Sequence, residues 1–187
     1  MSEKQPVVVI VGRPNVGKST FFNRLIRKRV AVVEDSPGIS RDRLYAETEW
    51  RGKRFVVVDT GGILFSDDDP LIEQIRIQAE VALAEADVVL FLADAMSGVT
   101  DDDKDLANRL RSVRKPIFIV VNKADNPNRD LFASEFYALG LGDVWPVSSL
   151  HGRGVADLLD EIVALLPESE ELQEGAEETR LAIVGRP

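Results

Sequence analysis

Eight residues near the start of the sequence have the types and spacing of a loop that binds phosphate. Residues 12–19 read GRPNVGKS, which matches the pattern GxxxxGK[ST]. The glycines let backbone N–H groups point inward, and a following helix adds the positive end of its dipole. Lys18 supplies a cation for the β- and γ-phosphates, with Arg13 near the same phosphates, and Ser19 supplies a hydroxyl ligand for Mg²⁺. The alternative is a glycine-rich turn with a surface lysine.

A second pattern, DTGG at residues 59–62, follows a predicted strand. A carboxylate at the carboxyl end of a strand lies where α/β sheets bind ligands, so Asp59 is expected to reach Mg²⁺ directly or through water. Gly62 lets its N–H approach a γ-phosphate closely. The long loop 29–43 offers Ser40 as a second hydroxyl ligand for Mg²⁺. Taken alone, each of these segments also fits an ordinary polar turn.

A third pattern, NKAD at residues 122–125, follows another predicted strand. The Asp125 carboxylate accepts two adjacent hydrogen bonds, which guanine offers from N1–H and N2–H₂ and adenine does not. Asn122 is suited to tie neighbouring loops together, and the aliphatic stem of Lys123 to lie over a base. In isolation the pattern is an ordinary polar turn, but three such patterns at three strand ends predict one nucleotide site.

Ser148 and Ser149 follow a further predicted strand, and we expect one of their backbone N–H groups to contact guanine O6. The residues predicted to contact the nucleotide are Gly12, Arg13, Pro14, Asn15, Val16, Gly17, Lys18, Ser19, Thr20, Asp59, Thr60, Gly61, Gly62, Ile63, Asn122, Lys123, Ala124, Asp125, Ser148, Ser149 and Leu150. Of these, Lys18, Asn15 and Gly62, together with Ser40, are the predicted catalytic residues.

The elements that must position these residues follow from the hydrophobic pattern. Continuous or alternating apolar runs predict strands at 6–11, 44–50, 54–59, 87–93, 116–121 and 143–147. Helical spacing predicts helices at 19–28, 71–86, 101–113, 129–139 and 154–166. The short turn 51–53 predicts an antiparallel hairpin. Strands that alternate with helices otherwise indicate an α/β domain with a mostly parallel six-stranded sheet and helices on both faces.

Composition narrows the class of protein. The chain has 187 residues, no cysteine, and a net charge of −9 from 23 basic and 32 acidic residues. The absence of cysteine excludes disulfides, thiolate zinc sites and a cysteine nucleophile. No apolar run reaches the ~20 residues that span a bilayer, and the first six residues lack the layout of a signal peptide, so we expect a cytoplasmic protein without membrane contact.

The charge is distributed unevenly along the chain. Residues 13–54 hold eleven basic and five acidic residues, which leaves an RNA-facing surface as an alternative function. Acidic residues that precede predicted helices, at 67–69 and 101–103, are expected to cap them rather than bind metal. We expect His151 to be a turn residue, and Trp50 and Trp145 to pack at strand ends.

An internal repeat indicates a second domain. Residues 8–14 read VVIVGRP and residues 181–187 read LAIVGRP, with five identical positions. Residues 168–178, which precede the second copy, include six Glu and no Lys or Arg, as a solvated linker does. We therefore expect one domain at 1–167, an acidic linker at 168–180, and the opening strand of a second, similar domain at 181–187.

The patterns GRPNVGKS, DTGG, NKAD and the segment SSLHG at 148–152 together resemble the Era/TrmE/Der group of P-loop GTPases. The resemblance covers residues 6–167 and implies a Ras-like G domain that binds GTP, GDP and Mg²⁺. The repeat resembles members with two G domains and a KH-like domain, which implies GTP hydrolysis coupled to assembly of the large ribosomal subunit. Ser40 stands where the group has threonine, and Ser149 where it has alanine.

The same resemblance bears on the mechanism. Ras-like enzymes place a glutamine after the DxxG glycine to orient water, whereas this chain has Ile63. A hydrocarbon side chain cannot orient water, which predicts slow intrinsic hydrolysis. The resemblance implies a K⁺ ion held by Asn15 and the loop that contains Ser40; Arg41 and Arg43 are a further alternative. A guanine-nucleotide-binding regulatory module with negligible hydrolysis remains open, and Asp125 argues against an ATPase.

Overall fold

The structure, a computed structural model, describes residues 5–26, 44–61 and 81–167. Its strands are β1 Val7–Val11, β2 Leu44–Trp50, β3 Lys53–Asp59, β4 Val88–Asp94, β5 Ile117–Asn122 and β6 Val144–Pro146. Its α-helices are α1 Lys18–Ile26, α2 Asp101–Leu110, α3 Pro127–Ala133 and α4 Val155–Leu165, and a 3₁₀ helix spans Ser134–Leu139. Residues 81–85 are also helical and lead into β4.

The six strands form one sheet in the order β2–β3–β1–β4–β5–β6. Only β2 and β3 pair antiparallel, and the remaining neighbours are parallel. The β-branched run of β1 lies at the centre, where Val9 pairs with Val58 on one side and Val89 on the other. Because helices cover both faces, such strands read as continuous apolar runs rather than alternating ones.

Side chains of β1 alternate between two hydrophobic clusters, one on each face of the sheet. Val8 and Ile10 join a cluster that includes Phe21 of α1 and Leu158 of α4. On the opposite face, Val9 and Val11 pack with apolar residues of α2 and of the 3₁₀ helix. The predicted α/β fold, with a mostly parallel six-stranded sheet, one hairpin and helices on both faces, is confirmed.

The hairpin β2–β3 is joined to α4 by polar contacts at the outer end of the sheet. The indole N–H of Trp50 donates to Asp160 at 2.6 Å, and Arg51 forms an ion pair with the same carboxylate. At the opposite edge, the rings of Trp145 and Phe118 meet edge to face with centroids 6.2 Å apart. Trp50 packs at the end of β2, as predicted, whereas Trp145 is the middle residue of β6, the strand at the opposite edge of the sheet.

One predicted helix differs from the structure. The segment 129–139 is split into α3, which begins earlier at Pro127, and the 3₁₀ helix that follows it. Asn126 caps α3 by accepting from the Arg129 N–H, and Pro127 fits the first helical position because it needs no N–H partner there. The 3₁₀ helix ends at Gly140, whose φ of 65° suits glycine.

Other predicted segments lie outside the described residues. These are the loop 29–43, the helix 71–86 apart from its end, the linker 168–180 and the repeat 181–187. Within the part of the chain that the structure describes, no helix has both the length and the apolar character needed to cross a membrane.

Candidate nucleotide-binding site

The three predicted motifs meet at the carboxyl edge of the parallel strands. The loop after β1 lies beside the ends of β3 and β5, and a cavity of about 310 Å³ opens there. It is lined by Gly17, Thr20, Met96, Asn122, Lys123, Asp125, Arg129, Ser149 and Leu150. A cavity of this volume is at the lower end of the range for small-molecule sites, and it suits a planar base. The sheet topology therefore brings together residues that are far apart in the sequence.

Lys18 folds back over the phosphate loop that the motif predicted. Its ammonium donates to the carbonyl oxygens of Gly12 at 2.9 Å and Arg13 at 2.7 Å, and the residue is only 5% exposed. Burial lowers the pKa of Lys18 to about 8, because desolvation outweighs the opposing effect of Asp59, and Arg13 lowers it further. A desolvated cation held only by neutral carbonyls is prepared to bind an anion.

Two glycines of this loop allow close approaches that a side chain would prevent. A Cβ on Gly17 would lie 2.4 Å from the Asn122 side-chain nitrogen, and φ is 97° there. A Cβ on Gly12 would lie 2.3 Å from the carbonyl oxygen of Leu92. Between them, Asn15 has a positive φ of 66°, which asparagine tolerates better than most residues. The glycines thus allow the loop to pack against β4 and β5.

Ser19 and Asp59 form the polar pair predicted to hold Mg²⁺. The Ser19 hydroxyl donates to Asp59 Oδ2 at 3.2 Å, and the Gly61 N–H donates to Oδ1 at 3.0 Å. Thr60 binds the Ile10 carbonyl through its hydroxyl at 3.0 Å, which fixes the end of β3 against β1. No group of three or more acidic or histidine side chains suited to metal occurs among the described residues. The ligation of Mg²⁺ by this pair stays a prediction.

Asn122 connects the phosphate loop to the loops at residues 123–126 and 147–154, which follow β5 and β6. We call these two segments the base-binding loops, and the connection agrees with the role predicted for Asn122. Its side-chain N–H donates to the Val16 carbonyl at 2.9 Å. Its oxygen accepts the backbone N–H of Ser149 at 2.9 Å and the Ser149 hydroxyl at 2.7 Å. The residue is buried, so these bonds are formed in a place where lost partners are costly. One amide thereby fixes three segments relative to one another.

Asp125 lies at the cavity with both carboxylate oxygens engaged. Oδ1 accepts from the Ser148 hydroxyl at 2.7 Å, and Oδ2 accepts from the Arg129 guanidinium at 2.7 Å. Arg129 also donates to the Lys123 carbonyl at 3.1 Å. Each carboxylate oxygen has a second lone-pair position for a ligand. The two protein donors thus fix the orientation of the carboxylate that was predicted to recognise guanine.

Lys123 adopts a position that the sequence did not specify. Its ammonium donates to the Asn15 carbonyl at 3.1 Å and to Asp94 at 2.5 Å, at the end of β4. Lys123 also lines the cavity, and the place of its stem over a base stays a prediction. Asp94 also accepts the Met96 N–H at 2.8 Å, so the same carboxylate orders the turn after β4.

Several basic residues that sequence reasoning missed hold the base-binding loops. Arg24 of α1 donates to the Ser149 carbonyl at 2.8 Å and also contacts the Leu150 carbonyl. Arg153 donates to the Ala124 carbonyl at 3.0 Å and forms an ion pair with Asp130. The Arg153 guanidinium holds the pKa of the Asp130 carboxyl below its usual value. No local pattern marked these residues, because their partners lie in other segments.

The predicted contact to guanine O6 stays a prediction, and both of the N–H groups concerned have protein partners in the structure. The Ser148 N–H donates to the Arg153 carbonyl, and the Ser149 N–H donates to Asn122. Both donors therefore have protein acceptors, whereas the Leu150 N–H next to them has none among the described residues. His151 is an exposed turn residue whose N–H donates to the Ser148 hydroxyl, as expected.

The Arg13 guanidinium contacts Ser97 and Asp103, and its place near a bound phosphate stays a prediction. Among the other predicted contacts, Val16 and Ala124 are buried beneath the loops, Thr20 and Leu150 line the cavity, and Pro14 is exposed. Ser40, Gly62 and Ile63 lie outside the described residues.

Comparisons with known proteins agree with this geometry. The family model described as "50S ribosome-binding GTPase" matches residues 7–123. GTPase Der of Moorella thermoacetica is 51% identical over 183 residues, which cover 98% of this chain and 42% of that protein. GTPase Der of Listeria innocua is 49% identical with the same coverage. The chain thus spans less than half the length of these relatives.

Solved structures give the same result for the fold. A variant of Era from Aquifex aeolicus bound to GDP·AlF₄⁻ superposes with a TM-score of 0.74 at 31% identity, over 88% of this chain and 57% of that one. The G domain of the FeoB iron transporter of Thermotoga maritima, at 24% identity, superposes with a TM-score of 0.64 and covers 86% of this chain and 98% of that one. The family model matches well over half of the chain, so the chain belongs to the 50S ribosome-binding GTPase family.

Proposed function

We propose that this domain binds GTP and GDP with Mg²⁺ and hydrolyses GTP as a conformational switch. The observation that carries the proposal is the Asp125 carboxylate, held at the cavity by Ser148 and Arg129 on the same sheet edge as the phosphate loop. An oriented carboxylate pairs with the adjacent N1–H and N2–H₂ donors of guanine. Adenine presents an acceptor at N1 and no amino group at C2, so it leaves the carboxylate without donors.

The phosphate end of the nucleotide is proposed to bind at Lys18 and the backbone N–H groups of residues 12–19. Lys18 would exchange its carbonyl partners for phosphate oxygens. Ser19 and Asp59 would hold Mg²⁺, which neutralises charge on the phosphates, and Ser40 is the proposed second hydroxyl ligand. The adjacent hydroxyl and carboxylate oxygens, which lie within hydrogen-bond distance, are hard ligands that suit this ion.

Hydrolysis is proposed to depend on the positioning of the attacking water and of the γ-phosphate, and not on a side chain that acts as a base. Phosphoryl transfer needs an oriented water and charge stabilisation, and Ile63 supplies neither. Gly62 is proposed to bind the γ-phosphate through its N–H. A K⁺ ion held by Asn15 is the proposed source of the missing positive charge. Asn15 is an exposed residue of the phosphate loop, so its side-chain oxygen is accessible to an ion.

Steady-state hydrolysis tests the proposal directly. GTP turnover would be measured with Mg²⁺ in K⁺ buffer and in Na⁺ buffer of equal ionic strength, with ATP as the control substrate. We expect slow GTP turnover that K⁺ accelerates, and no ATP turnover. Equal rates in the two salts would refute the role of K⁺. Tight GDP binding without turnover in either salt would leave a guanine-nucleotide-binding regulatory module instead.

The nucleotide specificity has its own test. Asp125→Asn replaces a carboxylate oxygen by an N–H₂ group, which opposes the guanine N–H donors. We expect the variant to lose its preference for GDP over ADP while its melting temperature stays close to that of the parent. A variant that kept its guanine preference would contradict the proposed role of Asp125.

The whole protein is proposed to act in assembly of the large ribosomal subunit. The family description, "50S ribosome-binding GTPase", supports this role. A related Era structure contains nucleotides 1506–1542 of 16S ribosomal RNA, which is RNA of the small subunit and supports contact with ribosomal RNA only. We propose that residues 1–167 form the first G domain, that 168–180 form a linker, and that 181–187 open a second G domain followed by a KH-like domain. Cytoplasmic localisation accompanies this role.

Cosedimentation with purified 50S subunits tests the ribosomal role. A protein that carries both G domains and the KH-like domain would be compared in GTP and in GDP at two salt concentrations. We expect nucleotide-dependent binding that the isolated 187-residue chain does not reproduce. Binding that is independent of nucleotide and lost steeply with salt would indicate only general attraction to RNA.

A further inference from the structure

Asp103, in the first turn of α2, is a fully buried carboxylate. Its capping role involves only one of its two carboxylate oxygens. Its Oδ2 atom accepts from the Thr100 N–H at 3.0 Å and from the Thr100 hydroxyl at 2.8 Å, which completes a capping box. Its Oδ1 atom makes no hydrogen bond within the described residues. A buried carboxylate oxygen with no partner is costly, so a second reason for this charge is needed.

The second reason is an ion pair between Asp103 and Arg13 of the phosphate loop. The Nε atom of Arg13 lies 3.5 Å from Asp103 Oδ1, and the Arg13 side chain is 16% exposed. The guanidinium also donates to the Ser97 hydroxyl. Arg13 therefore points away from the cavity, toward the turn between β4 and α2. At the same time its carbonyl accepts from Lys18 at 2.7 Å, so one residue connects Asp103 to the lysine that faces phosphate.

The same turn also supports the loop at a second point. The Ser97 hydroxyl donates to the Asp94 carbonyl at 3.2 Å, and the Asp94 carboxylate accepts from Lys123, which donates to the Asn15 carbonyl. The segment 94–103 thus contacts the phosphate loop at Arg13 and, through Lys123, at Asn15. A loop anchored at two points has fewer conformations to lose when it binds phosphate.

Electrostatics supports the same connection. Among the described residues, Asp103 is the carboxylate that forms an ion pair with the Arg13 guanidinium. Without Asp103, the described residues would leave this partly buried guanidinium with no counter-ion. Removal of one partner from a buried ion pair is generally much more costly than loss of a surface pair.

We propose that Asp103 is a positioning residue for phosphate binding, which acts by holding Arg13 so that the Arg13 carbonyl and Lys18 keep their places in the phosphate loop. The inference rests on the proposed nucleotide function and extends it to a residue of α2 that touches no part of the cavity. It separates two roles of one carboxylate, a cap for α2 and an anchor for the phosphate loop.

The test compares two variants that damage the same cap. Asp103→Asn removes the charge that holds Arg13, whereas Thr100→Ala weakens the capping box and leaves the ion pair in place. Affinities for GDP and for guanosine would be measured for both in competition with a labelled GDP. We expect Asp103→Asn to weaken GDP binding about tenfold with guanosine unchanged, in the range of coupling energies for contacting residues. Thr100→Ala should leave both affinities near those of the parent.

Arg13→Met keeps the proposal testable if Asp103→Asn folds poorly, and the two changes together complete a double-mutant cycle if both variants fold. Arg13→Met should lose GDP affinity to a similar extent, and the double variant should lose no more than either single variant. Additive losses would show that Arg13 and Asp103 act independently. A Thr100→Ala variant as weak as Asp103→Asn, or an equal loss for GDP and guanosine, would show that only helix stability matters. Absence of GDP binding by the parent chain would instead refute the proposed function.

Discussion

The base-binding side and the phosphate-binding side of the cavity are held in different ways. On the base side, Asn122, Arg24 and Arg153 bind loop carbonyls and amides, and Asp125 has two protein donors. On the phosphate side, the buried ammonium of Lys18 rests on two neutral carbonyls. One side has its polar groups satisfied by the protein, and the other keeps a desolvated charge.

This difference assigns different tasks to the two sides. A network whose partners are already in place is rigid, so it discriminates between bases by geometry and leaves an unmatched base with unpaired polar groups. A buried cation gains most when an anion replaces its neutral partners. We therefore expect the base side to decide which nucleotide binds and the phosphate side to supply much of the affinity.

The largest effect is expected from Asn122→Ala, which breaks the connection between the two sides. The change leaves the Val16 carbonyl and the Ser149 N–H without their partners in a buried place. We expect the free energy of unfolding to fall by about 2–4 kcal/mol, because buried groups that lose partners cost ~1–3 kcal/mol each. Urea unfolding would measure it. Asn126→Ala, which removes an exposed cap, should cost only about 1 kcal/mol; equal losses would contradict a special role for Asn122.

Lys18→Met tests the phosphate side alone. We expect GDP affinity to fall about 10- to 100-fold, since hydrogen bonds to charged groups contribute ~1.5–3 kcal/mol. Guanosine affinity should not change, because the base side is intact. Calorimetric titration with GDP and with guanosine would measure the two affinities separately. Lys115→Met, at an exposed position, is the matched control. A parallel loss of guanosine affinity would show that the two sides are not separable.

The pH dependence of GDP binding follows from the depressed pKa of Lys18. Well below pH 8 the free protein already carries the protonated lysine, so affinity is fully present there. A bound phosphate raises this pKa, and Asp59 and Arg13 face the same ammonium. As pH rises above about 8, free Lys18 loses the proton that binding must restore, and affinity should fall up to about tenfold per pH unit.

The Lys18→Met variant is the control for that profile, because it retains the ionisations of the nucleotide and the base side. The ratio of parent to variant affinity should decline only above pH 8. A ratio that stays constant between pH 7 and pH 10 would show that Lys18 titrates outside this range.

The smallest effect is expected from Arg129→Gln. This change removes one of the two protein donors to Asp125 on the base side. Arg129 is a half-buried ion-pair partner of Asp125, and partly exposed pairs of this kind contribute ~0.2–1 kcal/mol. We expect a roughly twofold decrease in the preference for GDP over IDP, which lacks the 2-amino group. Competition binding would measure the preference, with Asn128→Ala on the same helix as control. An increased preference would show that Arg129 competes with guanine for Asp125.

Sequence reasoning located the site residues whose role depends on a strand end. Asp59, Asn122 and Asp125 each follow an apolar run, and parallel strands bring such positions to one edge. It did not identify Arg24 or Asp103, because their roles depend on contacts with segments 125 and 90 residues away. Periodicity also missed the end of α3, since a change from α to 3₁₀ geometry leaves the spacing of apolar residues nearly unaltered.

The positions of the two tryptophans have a spectroscopic consequence. Trp50 lies in β2 at one edge of the sheet, bonded to Asp160 of α4, and Trp145 lies in β6 at the other edge. Each edge thus carries its own fluorophore. Single-tryptophan variants, Trp50→Phe and Trp145→Phe, would show by their emission whether the antiparallel hairpin and the base-binding edge lose structure in one transition or in two.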